Sequence, residues 1–182
     1  MTNAASTFAE CELGRCARGI VAGNRPVYRE LSDFWLLIFM IAFVLGVVSG
    51  IVMAFQFGTN WSARSARTGP IQGPLLAYES FTAFLLEATF FGVMVFGRQR
   101  VSRGMYFFSC LMVTIGTTVS SFWILANNTG MQVPVGYAMQ GSQFDPTDWG
   151  AIFSSDGRWV RFPHMIVAAY LTTAFCVAAT GA

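Results

Sequence analysis

The stretch LLAYESFTAFLLEATFFGVMVFG, residues 75–97, decides the fold. It is long and apolar enough to cross a bilayer as a helix, which takes about 20 residues. Yet it carries two acids, Glu79 and Glu87. A charged group at the bilayer centre costs roughly 3 kcal/mol on insertion scales, so intramembrane carboxylates are rare without a partner, a water path or a cofactor. On a regular helix the two lie roughly 12 Å apart in depth and about 80° apart around the axis. They can then border one internal seam at two levels, which suits a proton relay. The alternative is that they pair with arginines of neighbouring helices or simply stay protonated.

Working outward, three further apolar stretches complete the pattern: residues 34–57, 105–126 and 162–182. Each is near the spanning length, and only helices satisfy their own backbone there without closing a barrel. The chain has 182 residues, 54% hydrophobic and 11% charged, a composition of polytopic membrane proteins. The expected fold is therefore all-α, an integral membrane helix bundle with four transmembrane helices. Basic residues are all arginine, the net charge is +2, and no basic tract points to a nucleic-acid partner. Residues 1–24 lack the apolar core of a signal peptide. The arginines cluster in the leader (Arg15, Arg18, Arg25, Arg29) and in the short loop after the second stretch (Arg98, Arg100, Arg103). Arg64, Arg67, Arg158 and Arg161 are spread over much longer loops. The positive-inside rule then places the leader and residues 98–104 in the cytoplasm, with 58–74 and 127–161 outside. Trp61, Trp149 and Trp159 fall in those outer loops, as an interfacial belt requires.

Other features are less specific. Gly46 and Gly50 form GxxxG, a close-packing signal. The third span holds a run of small polar residues, Thr114, Gly116, Thr117, Thr118, Ser120 and Ser121. It serves either helix–helix hydrogen bonding or a polar wall beside a cofactor or water path. Cys110 and Cys176 lie in apolar segments, where a buried thiol is the default, and Cys11 and Cys16 make no zinc spacing. His164, the lone histidine, follows Pro163, which suits a helix first turn. It is either a hydrogen-bonded interfacial residue or a haem-iron ligand, since haem takes axial His or His/Met.

GIVMAFQFGTNWS (50–62), the segment 73–97, SFWILANNTGMQVPVG (121–136) and VRFPHMIVAAYLTTAF (160–175) together resemble subunit I of the cytochrome bd quinol oxidase family, including its cyanide-insensitive branch. The resemblance runs over 24–182, as a partial membrane domain corresponding to helices two to five of a larger subunit. Residues 1–23 form a divergent polar leader. The resemblance implies a respiratory terminal oxidase that passes electrons from quinol through haem to oxygen. It implies that His164 is an axial ligand of the low-spin haem b iron. Glu79 matches a glutamate associated with the dihaem site and its proton supply, and Glu87 one in the proton path. The b/d dihaem site is expected only in the complete subunit. Partners so implied are oxidase subunit II, with or without a small additional subunit, in a bacterial cytoplasmic (inner) membrane. Three departures stand out. Ala54 replaces a common glutamate. The family's first helix, with its own haem histidine, has no counterpart. The quinol-binding loop, the methionine partner of His164 and a further haem glutamate are also missing. The chain is therefore expected to be a fragment that cannot turn over alone. Two other readings remain open: a non-catalytic membrane relic or interaction protein, and a proton-coupled carrier using Glu79 and Glu87.

Overall fold

The computed structural model describes residues 26–97 and 99–181. The leader, with Cys11, Cys16, Arg15, Arg18 and Arg25, and Arg98 of the cytoplasmic-loop assignment lie outside the described residues. The elements run α1 (Pro26–Gly58), α2 (Ser62–Glu79), a π turn (Ser80–Phe84), α3 (Leu85–Phe96), α4 (Arg103–Gln132), β1 (Tyr137–Gln140), β2 (Gln143–Pro146), α5 (Trp149–Phe153) and α6 (Asp156–Gly181). Four helical segments are long and apolar enough to cross a membrane: Glu30–Gly58, Ser62–Phe96, Arg103–Gln132 and Trp149–Thr180. The all-α bundle is thus as expected, with one small antiparallel hairpin added.

The helix starts differ from expectation. Residues 58–74, read as a loop, contain most of α2, and Arg64 and Arg67 sit on it. Pro70 and Pro74 stand inside this helix. Proline normally breaks a helix because it cannot donate to the carbonyl four residues back. For Pro70 that carbonyl belongs to Ala66, and it accepts instead from Gln143 Nε2 of the hairpin at 3.2 Å. The hairpin thereby supplies a bond that the helix lacks. Its two-residue turn begins at Gly141, whose φ of +64° is the left-handed value such a turn needs. Pro163 is not in a first turn either; it lies in the interior of α6. Residues 127–161, also read as a loop, open with the last turn of α4 and close with the first turns of α6.

Two regions pack differently along the bundle. At the end nearest residues 98–104, Trp35 and Phe39 of α1, Met94 of α3, and Tyr106, Cys110 and Val113 of α4 form the apolar core. Phe43 stacks on Phe91 there, with centroids 4.2 Å apart. Cys110 is buried as expected, but Cys176 is exposed on α6. Of the GxxxG pair, Gly46 is half-buried and Gly50 is exposed, with nothing within 4 Å of a Cβ placed on Gly50. At the opposite end α2, the hairpin and the end of α4 border an open cavity with a largely apolar lining and a few polar groups.

Candidate functional site

Between these two regions lies the seam of α2–α3 against α4. Ser120 Oγ donates to Glu79 Oε1 at 2.8 Å. Glu87, a turn and more deeper, is hydrogen-bonded by Thr117. Its other oxygen, Oε1, is buried and has no partner among the described residues. Gly116 makes room for it: a Cβ there would stand 2.6 Å from Glu87 Cγ. Neither glutamate has an arginine partner among the described residues, so pairing with arginine does not explain them. One turn of hydroxyls on α4 serves both carboxylates.

The geometry corrects the expected offset of about 80° between the two glutamates. The π turn at Ser80–Phe84 stands between them. Such a turn accommodates one extra residue in the helix. Glu87 therefore follows Glu79 as if seven residues on, and positions seven apart share one face. The two acids line up on the seam at a depth difference of about 10 Å. Gln72, Leu75 and Ala83 complete the inward stripe of this span, and all three are buried. The polar run on α4 was legible as a candidate wall; which of its members meet the acids was not. Around the seam, Trp123 Nε1 donates to Thr82 Oγ1 at 3.0 Å, and Tyr78 stacks on Trp123.

His164 lies elsewhere. It is exposed on α6, and no hydrogen bond or ion pair among the described residues links it to either glutamate. Val160, Val167, Leu171 and Phe175, one to three turns away on the same helix, are all exposed. An imidazole set in an apolar stripe of this kind fits the face of a large planar apolar group bearing iron. The chemistry of this stripe is compatible with a haem, and His164 is the one imidazole among the described residues. Sequence reading missed Arg158, which was counted as a loop charge. It is 2% exposed, donates from Nη2 to Ile152 O at 2.9 Å, and lies over the rings of Phe122 and Phe153. Arg161 ties α6 to α4 through Asn128, at 3.1 Å, and Gln132. These two contacts fix the rotation of the histidine-bearing helix.

Fold and site together define a multi-pass helical membrane protein with a carboxylate seam inside it and a histidine on its apolar surface. The chain belongs to the cytochrome bd terminal oxidase subunit I family, whose family model matches residues 17–182. It is 40% identical over 159 residues to cytochrome bd ubiquinol oxidase subunit 1 of Bacillus subtilis (strain 168), covering 87% of this chain and 34% of that protein. It is 37% identical over 164 residues to cytochrome bd-II ubiquinol oxidase subunit 1 of Escherichia coli (strain K12), covering 89% and 32%. The chain thus spans about a third of the length of the curated relatives it matches. In fold it is similar to a chain of the bd oxidase from Geobacillus thermodenitrificans, with a TM-score of 0.87 at 22% identity, over 96% of this chain and 40% of that one.

Proposed function

We propose that this chain forms part of subunit I of a respiratory oxidase of the bacterial inner membrane, transferring electrons from quinol through haem to oxygen. Further helices of the subunit and a second subunit complete the assembly, and the four spans alone do not turn over. The observation that carries the reading is the alignment of Glu79 and Glu87 on one seam, each hydrogen-bonded to a hydroxyl of α4. Oxygen reduction consumes protons at a buried site, and aligned intramembrane acids hold protons along a line toward it. Glu79 accepts from Ser120, and Glu87 keeps one buried oxygen without a partner among the described residues, open to a further hydrogen-bonding group along the seam. Haem, when bound, supplies one-electron transfer, and His164 would hold its iron from the apolar face of α6. The arginine distribution supports the hairpin end facing outward.

A reduced-minus-oxidised optical spectrum of wild type against His164→Ala tests the haem assignment. A b-type band present in the first and lost in the second is expected. A band of equal size in both overturns the assignment of His164, and no band in either removes haem ligation from this chain. Within the full-length oxidase, Glu87→Gln is expected to lower quinol-dependent oxygen uptake by about 10²-fold, the scale of general acid–base catalysis. Unchanged uptake would rule out proton handling by Glu87.

A further inference from the structure

The cavity at the hairpin end has a volume of about 270 Å³ and is bounded by Arg64, Gln72, Leu75, Ala126, Tyr137 and Phe144 among others. Gln72 is 7% exposed, and its Oε1 accepts from Thr68 Oγ1 at 2.9 Å. Its Nε2 is buried and has no partner among the described residues. A buried donor left unbonded costs about 1–3 kcal/mol. Water relieves that cost where it finds polar partners, and Arg64, Thr68, Gln72, Asn127 and Tyr137 supply them in an otherwise apolar lining. The cavity also stands in line with the seam. Gln72 is seven residues before Glu79 on α2, and Asn127, a second lining residue, is seven after Ser120 on α4. Seven residues return to the same face about 10 Å along a helix. Leu75, 2% exposed, and Ala126, fully buried, line the cavity and lie along their helices between Gln72 and Glu79 and between Ser120 and Asn127.

We propose that this cavity is a water-filled vestibule of the carboxylate seam, opening at the hairpin end, with Gln72 as its anchoring donor and Leu75 and Ala126 as its floor. Water reaches to within about two turns of Glu79 and stops there. The floor separates solvent at one membrane face from acids that exchange protons with a buried site. Its role as a proton seal rests on the proton-handling reading above; its hydration does not.

Sided thiol labelling tests it. In membrane vesicles of either orientation, single-cysteine variants Arg64→Cys, Gln72→Cys and Ala83→Cys, made with the native cysteines replaced, are exposed to a charged, membrane-impermeant methanethiosulfonate. Reactivity follows access to water. Arg64→Cys and Gln72→Cys are expected to react from the hairpin face alone, at rates within about tenfold of each other, and Ala83→Cys, buried beyond the floor, at least about 100-fold more slowly. Leu75→Ala, and separately Ala126→Ser, are expected to raise the rate at which a water-soluble carbodiimide modifies Glu79 by about tenfold, read by mass spectrometry. An inert Gln72→Cys in folded protein overturns the vestibule. An Ala83→Cys as reactive as Gln72→Cys overturns the floor. Glu79→Gln, assayed for oxygen uptake in the full-length oxidase, reports on proton handling separately, so either idea can fail without the other.

Discussion

At the residue scale the seam depends on small side chains facing large ones. Gly116 is the clearest case, because any side chain there collides with Glu87. Gly116→Ala is expected to lower stability by about 1–3 kcal/mol, the usual cost of overpacking. Thermal unfolding in detergent would measure it, and a shift of the Glu87 carboxyl stretch in the infrared would locate it. Ser120→Ala removes one hydrogen bond without adding bulk. Its expected cost is smaller, about 0.6 kcal/mol, the average for such bonds between membrane helices. It should also move the Glu79 carboxyl band and leave that of Glu87 in place. Glu79, Glu87 and His164 stood out in the sequence as candidates, because an acid in an apolar span and a lone imidazole are conspicuous by type. Arg158 was not, because an arginine near a span end reads as a solvent charge. Only packing of Phe122 and Phe153 around it shows otherwise.

At the scale of elements, the π turn and the hairpin each repair something that regular structure would spoil. The π turn absorbs one residue, so removing one residue from it should restore a plain α-helix with both acids still aligned. Deletion of Phe81, which is 71% exposed, is expected to keep folding and oxygen uptake in the full-length oxidase. Insertion of one alanine after Phe84 should rotate Glu87 by about 100° and abolish uptake. The opposite outcome would show that the turn does not set the alignment. The hairpin makes a second pairwise prediction. Gln143→Ala should cost about 1 kcal/mol by leaving Ala66 O unbonded, and cost nothing in a Pro70→Ala background, where the helix bonds that carbonyl itself. A double-mutant cycle of unfolding free energies reads the difference. Neither device was legible: periodicity assumes one helix type throughout, and Pro70 and Pro74 argue against a helix unless the distant Gln143 is already known.

For the whole molecule, an apolar core fills the end near residues 98–104, hydroxyls and carboxylates occupy the middle, and the cavity holds the hairpin end. Hydropathy alone revealed the four spans, because a bilayer imposes length and apolarity on each. It could not reveal where each helix starts, because the ends of α2 and α6 leave the apolar zone and carry arginine, proline and polar residues. Large apolar side chains remain exposed along α1 and α6, including Phe55, Val160, Leu171 and Phe175. In a bilayer these faces meet lipid, further helices or, beside His164, an apolar cofactor, none of which penalises them.

Thr117 has one hydroxyl proton and two possible uses for it. Its oxygen lies 3.1 Å from Val113 O and is also bonded to Glu87. When Glu87 is ionised, the hydroxyl must donate to it and leave Val113 O. When Glu87 carries a proton, the acid can donate instead, and the hydroxyl turns back toward Val113 O. A single hydroxyl on α4 thus has a different hydrogen-bond partner for each charge state of Glu87.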